Sequence, residues 1–208
     1  MLGPPAAGKG AQAELMQAAF HLPITSPGAM LREEKRLHTE LGAEAEKLTS
    51  QGRLLPDATI VALVQGWLGQ HDTQFIFDGF PRSLGQADAL ESMLAEREAP
   101  LDVALALDAP LSVLQQRVAR RLVCLECGQI VAAGWQVEGP GSPCPRCGGP
   151  LGRRSDDTAE TLLIRLQEYR EKTEPLLGYY SQRGLLKRVD SAATPDEVFK
   201  SIAAIVES

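Results

Sequence analysis

The segment GPPAAGKG, residues 3–10, decides the fold class of this chain. It matches the pattern Gly-x-x-x-x-Gly-Lys, in which glycines let backbone amides turn inward around an anion. The helix that follows such a loop adds the partial positive charge of its N-terminus. We therefore predict a phosphate-binding loop in which Lys9 reaches the outer phosphates of a nucleotide. The alternative is an N-terminal tail that is merely rich in Gly and Pro.

The residue after Lys9 is Gly10, where such loops ordinarily carry a Ser or Thr whose hydroxyl binds Mg²⁺. We therefore expect Mg²⁺ to be held by nucleotide phosphates, water and a carboxylate elsewhere in the chain.

Strands that alternate with helices predict an α/β fold with a parallel sheet covered on both faces. Residues 103–107 form an apolar run typical of a strand buried on both sides. Helices are predicted over 28–52 and 110–123, and another begins at Asp57, which we interpret as its N-terminal cap. Thr194 is predicted to cap the last helix.

Composition limits the possible functions. The 208 residues carry a formal net charge of −6, which argues against a general nucleic-acid binder. The longest apolar runs are too short to span a bilayer, and no signal peptide is visible at Met1-Leu2. We expect a cytoplasmic monomer that has neither a nucleic-acid partner nor a membrane partner.

The four cysteines all lie in one segment that is rich in Gly and Pro. Two Cys-x-x-Cys pairs at this spacing predict a closed, structural zinc site. An insert of about thirty residues buries too little apolar surface to fold alone, so a metal would stabilise it. Disulfides and a redox pair are the alternatives, and both are disfavoured in a cytoplasmic chain. The predicted ligands are Cys124, Cys127, Cys144 and Cys147.

The segment DGFPRSLGQA, residues 78–87, follows a short predicted strand at 75–77. Ligands of doubly wound sheets bind beyond the carboxyl ends of the strands. There Asp78 can hold the water shell of Mg²⁺, Arg82 can bind a phosphate with two N–H groups, and Gln86 can offer a donor and an acceptor to a base. The alternative is an ordinary strand-to-helix turn with a solvated Arg.

These motifs together resemble the adenylate kinase family, in its bacterial form with a long zinc-binding lid. The resemblance covers nearly the whole chain. It rests on residues 3–12, SPGAMLR, DGFPRSLGQAD, the cysteine-bearing insert, RRSDD and RLQEYREKTEPLLGYY, which occur in the order that the family has. It implies transfer of the γ-phosphoryl group of ATP to AMP, with Mg²⁺ accompanying ATP. It also implies a P-loop parallel sheet with strand order 2-3-1-4-5 and an inserted zinc-ribbon-like lid.

The resemblance also assigns roles to individual residues. On the ATP side it places Gly3, Gly8, Lys9, Gly10, Ala11, Arg117 and Arg121. On the AMP side it places Arg32, Gly79, Arg82, Gln86, Arg154 and Arg165. A spacing of four residues puts Arg117 and Arg121 on one helix face. The acidic pair after the insert, Asp156 and Asp157, is assigned a positioning role. Several arginines must converge because two phosphate chains repel each other.

The implied organisation is a core of residues 1–123 and 154–208, a monophosphate-binding helical segment at about 26–57, and a lid at 124–153. One alternative function is a kinase for UMP, CMP or GMP, although those relatives commonly have a short lid. Another is an NTPase that binds nucleic acid through a zinc ribbon.

The sequence departs from the family pattern at several positions. Pro27 replaces a usual Thr that touches the AMP base region in the family, and Ala29 replaces a usual Asp. In the loop, Ala6 and Ala11 replace a usual Gly and Thr. We expect slower turnover, with a cost of about 1 kcal/mol at Ala6 if its backbone needs a positive φ.

The strand that should precede the loop is short, since only Met1 and Leu2 stand before Gly3. We expect a gap in the centre of the sheet, because the first strand is missing from this chain. The corresponding hypothesis is a true start further upstream, so that restoring an apolar segment would raise the melting temperature.

Overall fold

The computed structural model describes residues 1–51, 53–71, 74–134, 137–153 and 157–207. The helices in these ranges are α1 (Lys9–Phe20), α2 (Pro27–Arg36), α3 (Glu40–Thr49), α4 (Asp57–Leu68), α5 (Leu84–Glu96), α6 (Leu111–Arg120), α7 (Ala159–Glu168), α8 (Pro175–Gln182) and α9 (Pro195–Val206), with a π-helical turn at Tyr169–Thr173 between α7 and α8. The strands are β1 (Ile24–Thr25), β2 (Ile76–Phe77), β3 (Ala104–Asp108), β4 (Arg121–Cys124), β5 (Ile130–Ala132), β6 (Leu151–Gly152) and β7 (Leu186–Asp190).

The main sheet is parallel and is centred on the first two residues. Strand β1 pairs with β2, and β3 pairs with β7. Between these pairs, the Leu2 N–H donates to Leu105 O at 2.7 Å and the Leu2 carbonyl accepts from Leu107 N–H at 2.9 Å. On the other side, Gly79 N–H donates to the Met1 carbonyl at 3.0 Å. Met1 and Leu2 thus fill the gap that was expected in the centre of the sheet. With Met1–Leu2 counted as the first strand and β1, β2, β3 and β7 as the second to fifth, the order 2-3-1-4-5 is confirmed.

Helices cover both faces of this sheet. Leu105 and Leu107 pack on one face with a cluster that includes Ile202 of α9. Leu2 packs on the other face with a cluster that includes Tyr180 of α8. The alternation explains the apolar run in β3, whose residues 104–107 are all buried.

The long helix predicted over 28–52 is instead two helices, α2 and α3. Ser26 Oγ caps α2 and Thr39 Oγ1 caps α3, each by accepting a backbone N–H. The chain turns between them at His38, whose φ is 54°. Two helices pack their apolar sides against α4 and α5, which one continuous polar helix could not do.

The helix predicted over 110–123 ends earlier, at Arg120. Arg121 is extended, with φ −70° and ψ 130°, and it opens strand β4. Strand β4 is the centre of a small antiparallel sheet of order β5-β4-β6. Leu122 and Cys124 alternate inward in it and are both buried, which is the pattern of a strand rather than of a helix.

The C-terminal helix follows its prediction more closely. Thr194 accepts a hydrogen bond from Glu197 N–H, and the Glu197 side chain accepts from Thr194 N–H in return. This reciprocal arrangement is a capping box, so the predicted role of Thr194 is confirmed. Within the described ranges, no helix has the length and apolar character needed to cross a membrane.

Two glycine substitutions test how closely the first loop packs on the sheet. A Cβ at Gly3 would lie 2.4 Å from Leu107 O, and the φ of Gly3 is 145°. We expect Gly3→Ala to lower the free energy of unfolding by about 1–3 kcal/mol.

Gly66 on α4 has no atom within 4 Å of such a Cβ. Gly66→Ala should therefore stabilise the protein by about 0.5–1 kcal/mol.

Urea unfolding of both variants and the parent protein measures these differences. If Gly3→Ala is as stable as the parent, the close approach of the loop to Leu107 is wrong.

Candidate active site

The predicted phosphate loop is a tight turn that leads directly into α1. Gly8 adopts φ 95° immediately before the helix, and Ala6 adopts φ 63°. The Lys9 ammonium donates to Gly3 O at 2.8 Å and to Pro4 O at 2.9 Å, so it lies across the loop. Ala6 therefore occupies the left-handed region that was predicted to cost about 1 kcal/mol for a residue with a Cβ.

The turn after β2 lies directly against this loop. The Arg82 Nε–H donates to Gly79 O at 2.8 Å, which folds the guanidinium back over the turn. A Cβ at Gly79 would lie 3.2 Å from Arg82 Nη2 and 3.6 Å from Lys9 Cε. A Cβ at Gly10 would lie 3.4 Å from an Asp78 carboxylate oxygen. The two motifs that are about seventy residues apart in sequence therefore form one site.

Electrostatics in this site favour an anionic ligand. Burial lowers the pKa of Lys9 to about 8, and the Asp78 carboxylate opposes this shift. The positive charges of Arg82, Arg165 and Arg121 act on the same ammonium and lower its pKa further. Burial also lowers the pKa of Arg82, again against Asp78. Cations held this close in a partly desolvated cleft repel each other until an anion binds between them.

Arg117 and Arg121 both line the cleft but do not share a helix face, contrary to the prediction. Arg117 lies on α6 and donates to Ala7 O at 3.2 Å and to Ser191 O. Arg121 lies on β4 and makes a two-pronged pair with Asp157, with Nε–H donating to Oδ2 at 2.6 Å. The chain changes from helix to strand at Arg121, so the two guanidinium groups come from different elements.

The cleft has a volume of about 1260 Å³ and extends from the loop to the helices α2, α3 and α4. It brings together nearly all of the predicted site residues. Those that line it are Gly3, Gly8, Lys9, Gly10, Ala11, Arg32, Asp78, Gly79, Arg82, Gln86, Arg117, Arg121 and Arg165. Arg154 and Asp156 lie outside the described residues.

Sequence reasoning missed two residues that hold the site in place. Thr173 Oγ1, in the π-helical turn, donates to the Arg82 carbonyl at 2.8 Å across 91 positions of sequence. Asp57 was predicted to cap α4, but Pro56 occupies the cap position and Asp57 is the first residue of the helix. Its carboxylate instead accepts from Ser83 Oγ and from the Gln86 amide. No local pattern signals either contact, because both join distant segments.

The four cysteine sulfur atoms all lie within 4.8 Å of one another. Cys124 and Cys147 are 3.5 Å apart, and Cys127 and Cys144 are 3.7 Å apart. Tetrahedral zinc with Zn–S bonds near 2.3 Å separates its sulfurs by about 3.8 Å, so the set fits that ion. The backbone N–H of Cys127 lies 3.5 Å from the Cys124 sulfur and that of Arg146 lies 3.4 Å from the Cys144 sulfur, and such N–H groups stabilise a thiolate ligand. The cluster can therefore bind a metal ion.

Comparison with known proteins agrees with this geometry. The sequence profile described as adenylate kinase matches residues 1–185. An adenylate kinase of Thermodesulfovibrio yellowstonii is 43% identical over 208 residues, which is 99% of this chain and 97% of the relative. An adenylate kinase of Syntrophomonas wolfei is 39% identical over 100% of this chain and 98% of the relative. One of Methanosarcina acetivorans is also 39% identical, over 99% of this chain and 96% of the relative.

All of these relatives are adenylate kinases, so the comparison supports AMP, rather than another monophosphate, as the acceptor of this chain. It also argues against the nucleic-acid-binding alternative. The matched regions span nearly the whole chain and so include the loop, the turn after β2 and the cysteine-bearing insert. On this evidence the chain belongs to the adenylate kinase family, and its reaction is phosphoryl transfer from ATP to AMP.

Proposed function

We propose that the cleft between the phosphate loop and the turn after β2 is where ATP and AMP meet. The observation that supports this is the approach of Lys9, Asp78 and Arg82 around Gly79. One nucleotide occupies the side formed by the loop, and the other occupies the side formed by α2, α4 and α5.

On the ATP side, the loop amides and Lys9 hold the β- and γ-phosphates, with Gly3, Gly8, Gly10 and Ala11 forming the wall of the loop. Arg117 and Arg121 approach from the side of the insert. Arg117 already lies against the loop through its hydrogen bond to Ala7 O, so it needs little rearrangement to bind a phosphate oxygen.

On the AMP side, Arg32 and Arg82 bind the α-phosphate, and Gly79 lets it approach the backbone closely. Gln86 contacts the base. Arg154 and Arg165 complete the ring of positive charge around the transferred group. Arg82 is held for this role by Gly79 O at one end and by Thr173 through its own carbonyl.

The reaction needs little covalent help from the protein. An oxygen of the AMP phosphate attacks the γ-phosphorus, the bond to the β–γ bridging oxygen breaks, and two ADP molecules result. The negative charge on the equatorial oxygens is stabilised by Lys9 and the arginines, which are in place before the reaction. Asp78 would hold Mg²⁺ through its water shell, and the ion would neutralise phosphate charge.

The insert at 124–153 is proposed to be a lid, with zinc bound by its four cysteines. The core would then be residues 1–123 and 154–208, and the monophosphate-binding segment would span about 26–57. The lid would cover ATP and exclude water from the transfer. The small sheet β5-β4-β6 carries the cysteine pairs at its turns, so a bound ion would stabilise the whole unit.

We further propose that the chain acts as a cytoplasmic monomer without a nucleic-acid or membrane partner. Its net charge of −6 supports the lack of these two partners, because polyphosphate backbones and anionic lipids would be repelled outside the cleft.

An acceptor assay with ATP and each of AMP, CMP, UMP and GMP tests the assignment of the cleft. We expect AMP to be strongly preferred.

Arg82→Ala should lower kcat/KM for AMP by about 100- to 1000-fold, because a two-pronged charged contact is lost. The matched control is Arg183→Ala, since Arg183 is exposed and pairs with Glu91 outside the cleft. Equal activity of the two variants would contradict the placement of AMP.

The lowered pKa of Lys9 predicts how ATP binding depends on pH. Only the protonated ammonium attracts phosphate, and in the free protein it loses its proton as pH rises through about 8. Affinity for ATP should therefore fall between pH 7.5 and 9.5, by up to about tenfold per pH unit at the upper end. Calorimetric titration at each pH measures it. Lys9→Arg, which stays charged, should show no such fall; a flat profile in the parent protein would refute the prediction.

Metal analysis tests the lid. We expect one zinc ion per chain and X-ray absorption typical of four sulfur ligands. A strong chelator should lower the melting temperature, and added Zn²⁺ should restore it. Cys144→Ser, at a buried ligand, should reduce zinc content below one ion per chain. A protein that is fully stable and metal-free after purification would argue against a structural ion.

A further inference from the structure

The Gln86 side chain is held at both ends of its amide by other parts of the protein. It is 2% exposed and lines the monophosphate side of the cleft. Its Oε1 accepts from the Arg82 backbone N–H at 2.8 Å, and its Nε2 donates to Asp57 Oδ1 at 2.8 Å. The two partners are of opposite character, one being a donor only and the other an acceptor.

These contacts fix which end of the amide is oxygen and which is nitrogen. If the amide turned over, its oxygen would face the Asp57 carboxylate and its NH₂ group would face the Arg82 N–H. Both contacts would then be repulsive, and the buried backbone N–H would lose its acceptor. The Asp57 carboxylate is itself oriented, because its second oxygen accepts from Ser83 Oγ. Ser83 Oγ also accepts from Gln86 N–H at 3.1 Å, which closes the network.

A fixed amide presents a fixed pattern to a base. After its two protein contacts, Gln86 retains one N–H and one lone pair of Oε1. A 6-aminopurine offers the complement, since N1 accepts and the N6 amino group donates. A 6-oxopurine offers the reverse, since N1–H donates and O6 accepts. It would therefore be bound only by the amide in its turned-over orientation.

We propose that Asp57 is a positioning residue that makes the acceptor site select a 6-amino over a 6-oxo purine monophosphate. The inference rests on the proposed function, in which Gln86 contacts the acceptor base. Asp57 does not touch the base in this scheme, and it acts only by keeping the Gln86 amide in one orientation. This role also accounts for a carboxylate at the first position of α4 that accepts from Ser83 and Gln86 of the neighbouring segment.

Asp57 is exposed, so water competes for its carboxylate and the effect should be moderate. In Asp57→Asn, the new amide can offer either its oxygen or its NH₂ group to Gln86. The turned-over orientation then loses its repulsion at this end but keeps it at Arg82. We expect the ratio of kcat/KM for IMP to that for AMP to rise by about 3- to 10-fold.

The experiment measures steady-state transfer from ATP to AMP and to IMP in the full chain. IMP is the probe because it carries the 6-oxo edge without the 2-amino group of GMP. The change in Asp57→Asn should lie mainly in KM for the monophosphate, with KM for ATP unaltered. Asp57→Glu keeps an acceptor and should retain the parental preference. The matched control is Asp88→Asn on α5, an exposed aspartate that accepts from Tyr179 and lies outside the cleft lining.

Several results would overturn the inference. One is an IMP/AMP ratio in Asp57→Asn within twofold of the parent, and another is an equal loss of activity toward both substrates, which indicates a structural role alone. The melting temperature of each variant is measured alongside, and Asp57→Ser, which can donate or accept, serves if the Asn variant does not fold. If the parent protein fails to phosphorylate AMP, the proposed function itself is wrong, so the two failures are distinguishable.

Discussion

The mutual repulsion of two phosphate chains is the constraint on which this architecture depends. A protein that brings them together must hold several cations close to one another before either ligand arrives, and in a place from which water is partly excluded. The free-energy cost of holding cations away from water is visible in the lowered pKa values of Lys9 and Arg82, for which burial is the main cause. The sheet, the loop and the turn after β2 supply the rigidity that keeps these like charges from moving apart.

That rigidity comes from backbone contacts as much as from side chains. Leu2 and Met1 join the two halves of the parallel sheet through hydrogen bonds to both neighbours. Gly3 then turns so close to Leu107 that no side chain fits. The phosphate loop is therefore attached directly to the centre of the core, and the Lys9 ammonium is held across it by two loop carbonyls.

Much of this could be predicted from sequence, since the loop, the turn after β2 and the cysteine pairs are each short segments whose chemistry is local. The strand order followed from the family resemblance. The prediction failed where tertiary pairing overrides local propensity. At Arg121 the chain leaves a helical pattern and forms β4, which pairs with β5 and β6. The prediction also failed at Asp57 and missed Thr173. Their partners lie 26 to 91 residues away, and no spacing rule relates them.

The ion pair between Arg121 and Asp157 has a mechanical consequence. Arg121 begins the first strand of the cysteine-bearing insert, and Asp157 lies just beyond its end, so the pair links the two stems by which that unit leaves and rejoins the core. Arg153 adds a second link by donating to Ala119 O at 2.9 Å. These two contacts fasten the stems together, so any movement of the insert relative to the core must take place at this narrow base. Because Arg121 also lines the cleft, an anion bound there would compete with Asp157 for the same guanidinium and so act directly on the base of the insert.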